Sequence, residues 1–178
     1  MQSKIAESQQ KWYVLVTKPN AEKQTSKRLS KIGIENYLPL QRELRVWHDR
    51  KKWVEVPLFK SYVFVKTFDN LRKEVYLAGG VLKYVTMGDH ICILSQEEVD
   101  RIQRLCACPE AVVIEKMPPS PPSPFALGDE VEVMAGPLQG FRGHLIQQDG
   151  QHRLRVEIKG LGYFATVIVD ENIVRKAP

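Results

Sequence analysis

The chain has 178 residues, of which 43% are hydrophobic and 26% charged, the composition of a soluble globular protein with room for one ordinary domain or two small ones. No window approaches about eighteen consecutive apolar residues, and the opening MQSKIAESQQK is polar where a signal peptide is apolar. Composition therefore excludes a membrane span and export, and the cytoplasm is the expected location. Cys92, Cys106 and Cys108 are odd in number and lack the spacing of a zinc site; His48, His90, His144 and His152 are scattered, with no nucleophile and carboxylate beside them. No metal, cofactor or catalytic residue is expected, and the chain does not read as an enzyme.

The net charge of +5 is uneven. Residues 1–108 carry 19 Lys or Arg against 12 Asp or Glu, a net +7, whereas residues 109–124 and 125–178 are each at −1. The basic excess marks either a surface that meets a polyanion or a solvated face that keeps the chain soluble. The asymmetry divides the chain into a first module over 11–108, a linker over 109–124 and a second module over 125–178. The tract PPSPPSP at 118–124, five prolines and two serines, sets that division, because proline lacks the amide donor and fixes φ. At ~3.1 Å per residue it forms a semi-rigid spacer of roughly 20 Å.

In chain order, KWYVLVTK at 11–18 predicts a buried strand, and Asn20 is the expected cap of a helix running to about Lys31 with Gly33 as its stop. Lys23, Lys27 and Lys31 fall at i, i+4 and i+8 on that helix, with Lys18 and Arg28 close by, so one side is a basic stripe. A single strand is expected over IENYLPLQRELRVW, then a basic loop HDRKK, the segment WVEVPL and the strand KSYVFVKT. DNLRKEVYLAGG predicts a short helix closed by glycines, and VLKYVTMG and HICIL two strands around a turn. Ser95 and Glu98 form a capping box for a last helix whose apolar face is Val99, Ile102 and Leu105. The order β, α, β, β, α, β predicts an α+β module, a ferredoxin-like sandwich with helices on one face of an antiparallel sheet.

Beyond the linker, LGDEVEVMAG, GHLIQQDGQHRLRVEIKG and YFATVIVDENIV alternate at period two, and five short strands predict a small SH3-like β-barrel. Its loop AGPLQGFRGHL holds Gly136, Pro137, Gly140 and Gly143 around Phe141. The glycines predict sharp backbone corners. The ring either tucks into the barrel mouth, as base rates favour, or faces a partner.

GDEVEVMAGPLQGFRGHL resembles a KOW motif, and KWYVLVTKPNAEKQTSKRL with PLFKSYVFVKT resembles the amino-terminal domain of NusG-family transcription elongation factors. The two modules in this order resemble the specialised RfaH and UpxY type more than housekeeping members, which carry a phenylalanine, proline, glycine, tyrosine run where this chain has Phe59, Lys60, Ser61 and Tyr62. The resemblance implies a monomeric factor that binds RNA polymerase at the coiled coil of the β′ clamp, bridges to the β gate loop and suppresses pausing or termination without making or breaking a bond. Val16, Phe59, Tyr62 and Phe64 match the clamp-binding patch, although alternation places some of them in the sheet core. Lys18, Arg28 and Lys31 match positions that approach the non-template DNA strand, or else form a solvated helix face. The threonine-rich gate-loop segment of RfaH has no counterpart around NLRKEVYLAGG. The resemblance turns the expectation for Phe141 towards exposure, in a loop that recruits a small-subunit ribosomal protein or the termination factor Rho. It also raises a helical-hairpin form for the second module, against which the period-two alternation speaks. A KOW-containing, RNA-binding ribosomal or ribosome-assembly protein is the alternative; its basic charge would extend through both modules.

Overall fold

The structure, a computed structural model, describes residues 9–46, 48, 50–118, 128–148 and 150–177. It is a mixed α/β chain with few helices and many strands, divided into two compact units: residues up to 39 with 59–99, and 40–58 with 100–178. Among the described residues no helix is long and apolar enough to cross a membrane.

The first unit is built on β1 (Lys11–Thr17), whose β-branched and aromatic residues suit a strand covered on both faces. β1 pairs antiparallel with β5 (Tyr62–Thr67) on one side. On the other it pairs with β6 (Val81–Tyr84) and β9 (Ile93–Leu94), and β2 (Glu35–Tyr37) extends the sheet beyond β5. One face carries Tyr13, Leu15, Val63 and Val65, which form a core with Leu29 of helix α1 (Glu22–Lys31) and with Val75 and Ala78 of a 3-10 segment, Asp69–Ala78. The expected helix closed by glycines is this 3-10 segment. Asp69 at its start accepts bonds from Lys11 Nζ at 2.7 Å and from the Tyr13 hydroxyl, which ties the segment to β1.

The opposite face carries Trp12, Val14 and Phe64. α2 (Gln96–Cys106) starts beside it, with Trp12 Nε1 donating to Gln96 at 2.8 Å. The expectation of helices on one face is therefore corrected: the bulky residues of β1 alternate on both faces, and each face needs cover. Asn20 does not cap α1 either. It sits at φ 60°, in a turn closed by Ala21 N–H to Lys18 at 3.1 Å, and Ala21 takes the cap position without a side-chain bond. Gly33 ends the helix as expected, at φ 79°, with its own N–H bonded to Ser30 and that of Ile34 to Leu29. The capping box at α2 is formed: Ser95 Oγ accepts from Glu98 N–H at 3.1 Å, and the Glu98 carboxylate accepts from Ser95 N–H at 3.0 Å.

The strand expected over 34–47 is divided at Pro39 into β2 and β3 (Leu40–Val46). Among the described residues β3 pairs only with β4 (Lys51–Pro57), in a two-stranded hairpin. β7 (Thr86–Met87) and β8 (His90–Ile91) make a second small hairpin. Among the described residues, 125–178 holds the five strands expected, β11 (Asp129–Val133), β12 (Arg142–Gln148), β13 (Gln151–Ile158), β14 (Tyr163–Ile168) and β15 (Val174–Lys176), and β10 (Val113–Lys116), from the expected linker, joins them. They form one sheet in the order β10-β14-β13-β12-β11-β15. Val131, Val133, Leu154, Val156, Ala165 and Val167 fill its inner face. The linker expected over 109–124 is thus shorter than composition suggests, because Val113–Lys116 alternates enough to pair with β14. Most of the PPSPPSP tract lies outside the described residues.

Candidate functional site

The turn into β5 places the four residues of the matched polymerase patch. Ser61 has φ 62°, a left-handed conformation that costs a side-chain-bearing residue roughly 1–2 kcal/mol, and it occupies the place of the glycine in the housekeeping run. Two bonds hold it: its N–H donates to Glu22 Oε1 at 2.7 Å, and its carbonyl accepts from Thr17 N–H at 2.8 Å. The turn brings Phe59 back over the sheet, stacked on Tyr62 (6.5 Å between ring centroids, 12° between planes) and 6.0 Å from Phe64. Tyr37 meets Phe64 edge-on at 6.0 Å. Val16 lies directly across from Tyr62. The four residues therefore stand together on one face, but not as an exposed patch. Phe59 is only 3% exposed and Phe64 fully buried, while Val16 and Tyr62 are half-buried. Phe59 and Phe64 are thus the members of the patch that lie in the core: with Lys60 and Ser61 between the rings, the turn tucks Phe59 onto its aromatic neighbours.

Arg28 and Lys31 on α1 and Lys18 in the turn before it are exposed, and none of them pairs with a carboxylate among the described residues. Lys23, Lys27, Arg28 and Lys31 line one shallow concavity on the helix. The helix sits close to the 3-10 segment: a Cβ on Gly80 would come within 2.5 Å of Thr25 Oγ1, and one on Gly79 within 3.3 Å of Arg28 Nη1. Packing on glycine thus fixes the face from which the cations project.

The loop between β11 and β12 differs most from expectation. Gly136 and Gly140 take φ 82° and 81°, as predicted for backbone corners. Gly143 is needed for another reason, since a Cβ there would lie 2.4 Å from the Arg155 carbonyl oxygen. Pro137 is exposed, but Phe141 is 1% exposed, against the expectation of a solvent-facing ring. Arg104 of α2 covers it. The guanidinium carbon stands 4.7 Å from the ring centroid, with that of Arg101 at 5.4 Å. Arg104 also donates from Nε (3.2 Å) and Nη2 (3.0 Å) to the Pro137 carbonyl, and from Nη2 to that of Gln139.

Burial, helped by the Glu98 charge, pushes the Cys92 thiol up to about 11, and burial together with Glu110 does the same for Cys108, so both stay protonated at neutral pH. No cluster of His, Cys, Asp and Glu among the described residues could hold a metal ion.

The family model described as transcription termination factor NusG matches residues 10–103, more than half of the 178 residues. The chain belongs to the NusG family. Among solved structures it is similar to that of Thermotoga maritima NusG, described under the heading of domain interaction, with 24% identity and a TM-score of 0.57 over 95% of this chain and 98% of that one. The likeness supports the fold. An MjSpt4:Spt5 complex, in its conformation B, is matched at 18% identity and a TM-score of 0.30 over 93% and 96% of the two chains. No curated protein matches. The matched region holds every residue assigned above to the polymerase patch and to the basic face of α1; the loop around Phe141 lies beyond it.

Two features of this family member were not anticipated. The β3–β4 hairpin exposes Trp53, Leu44 and Val46 on one face, with Arg42 over the Trp53 ring at 5.9 Å. Alternation in β3 puts Leu44 and Val46 on one face, and only the pairing register, with Trp53 across from Leu44, adds Trp53 to it. Arg104 had no signal of its own, because its partners are carbonyl oxygens more than thirty residues away.

Proposed function

We propose that this NusG-family chain is a transcription elongation and antitermination factor of the specialised, operon-serving kind, which binds RNA polymerase at the β′ clamp coiled coil through its first module. The family match over residues 10–103 carries the reading, because it spans both the aromatic cluster and the cationic helix. Val16 and Tyr62, half-buried, offer the contact surface; Phe59 and Phe64 support it from beneath. A phenol on an apolar bed suits an interface, since its ring buries area while its hydroxyl keeps a polar partner. Lys18, Arg28 and Lys31 face the displaced non-template strand, and the β gate loop is a second polymerase contact. The Phe59-Lys60-Ser61-Tyr62 run favours a specialised rather than a housekeeping role.

The second module is a KOW barrel that recruits a small-subunit ribosomal protein or Rho through the loop from Gly136 to Gly143. The factor works in the cytoplasm as a monomer, needs no cofactor, and makes or breaks no bond. The test is co-purification with RNA polymerase. Tyr62→Ser is expected to reduce binding by on the order of 2 kcal/mol while the melt stays near that of the parent, as for an interface hot spot. Reversing Lys18, Arg28 and Lys31 to Glu flattens the salt dependence of recruitment to paused complexes by about 0.7 per lost single-strand phosphate contact. Full binding by Tyr62→Ser with an unaltered salt slope in the triple variant would overturn the reading.

A further inference from the structure

Among the described residues Glu22 is the one buried side chain of the charged types; apart from four threonines, the other buried residues are apolar, aromatic or cysteine. A carboxylate withdrawn from water is costly unless donors meet it, and Glu22 forms no ion pair among the described residues. Two things hold it in place. It stands in the first turn of α1, where the free N–H groups of a helix favour negative charge, and its Oε1 accepts from the Ser61 N–H at 2.7 Å. A buried charge is thus committed to one backbone amide of a distant turn.

That amide decides the form of the turn. Tyr62 N–H donates to the Phe59 carbonyl at 3.3 Å, so residues 59–62 make a β-turn, and φ 62° at Ser61, its third residue, is the mark of type II. Types I and II differ by a flip of the peptide between the second and third residues. A residue with a side chain favours type I at the third position, where φ is negative. The flip would point the Ser61 N–H away from Glu22 and leave the carboxylate buried without a donor. A bond to a charged acceptor is stronger than one between neutral groups, so the carboxylate holds the turn in its left-handed form. Phe59 and Tyr62 flank this peptide, and its orientation sets how their rings stack and how Tyr62 meets Val16, its partner in the sheet.

Resting on the reading of Val16 and Tyr62 as the polymerase contact, we propose that Glu22 is a positioning residue for that contact: its carboxylate, through the Ser61 N–H, sets the turn that presents Tyr62. The role follows from the serine. A glycine at 61 takes the left-handed form unaided, whereas Ser61 needs an acceptor on its N–H. The same side chain begins α1, so one bond joins the helix that carries Arg28 and Lys31 to the turn that carries Tyr62.

The test is a set of full-length variants assayed for RNA polymerase binding below their melting ranges, with the ¹⁵N amides of Ser61 and Tyr62 followed in the free chain. Glu22→Ala is expected to weaken binding about tenfold, and Glu22→Gln, which keeps an oxygen acceptor, by no more than about threefold. Adding Ser61→Gly to Glu22→Ala should recover most of the loss, because glycine takes the turn without the bond. A purely structural Glu22 would lower the melt and leave the binding of the folded chain intact; that result, or no recovery by Ser61→Gly, would overturn the proposal. If Glu22→Ala alone does not fold, the double variant is compared with Ser61→Gly: equal affinities support the proposal, and a gap of about tenfold overturns it. A parent chain that binds no polymerase overturns the function proposed above, and the contact with it; the Ser61 amide still reports the turn, and an amide unmoved by Glu22→Ala overturns the hold of Glu22 on it.

Discussion

Phe59 and Phe141 are both enclosed rings in loops that lead into strands, yet what encloses them differs. Phe59 is covered by other rings, Tyr62 and Phe64, on a sheet whose other face is also packed. Phe141 is covered by the guanidinium groups of Arg101 and Arg104. An apolar cover has no better solvent than the protein interior, so removing it costs the full burial energy. A guanidinium can return to water and keep its hydrogen bonds there, so its cover is held by the smaller difference between protein and solvent partners. Equal burial thus stands for unequal commitment to the folded state.

The largest effect should come from the apolar cover. Phe59→Ser leaves a cavity beneath Tyr62 and is expected to cost about 3–5 kcal/mol in a denaturant melt. A loss below about 1 kcal/mol would show that the aromatic stack is a surface after all and break the contrast. Arg104→Ala is expected to cost less, about 1–2 kcal/mol, and locally. Hydrogen exchange should quicken at Leu138 to Arg142 and stay unchanged along β5; uniform quickening across the chain would mean that the cation holds more than the loop. The smallest effect concerns the turn beneath Phe59. Ser61→Gly relieves a left-handed side chain but adds freedom to the unfolded chain, so a gain of about 0.5 kcal/mol is expected in the melt. A loss at that position would mean that the Glu22 and Thr17 bonds depend on the serine itself.

Much of the first module was legible because its signals are local. The alternation of KWYVLVT, the glycine after α1 and the Ser95–Glu98 box act within a few residues, and each appears in place. Asn20 was misread because a residue that suits a helix cap also tolerates the left-handed turn, and the Lys18 carbonyl decided between them. The strand over 34–47 was read as one because alternation continues through Pro39, while only pairing shows that its halves join different sheets. In the site, the basic face of α1 could be read from helical spacing. The burial of Phe59 and Phe141 could not, because it depends on Phe59 folding back onto Phe64 across a turn and on Arg104 arriving from another element.

The pairing of Val113–Lys116 with β14 changes what the proline-rich tract does. The chain leaves the six-stranded sheet at the end of β10 and re-enters it at β11, so both ends of the tract belong to one sheet. Its length therefore enters as the entropy of closing a loop, not as the reach of a tether. Doubling such a loop costs only about 0.6 kcal/mol if it is flexible, whereas stiff segments depart strongly from that slow dependence. A run of prolines, already low in entropy when unfolded, closes the circuit between β10 and β11 with less to lose than a glycine-serine segment of equal span.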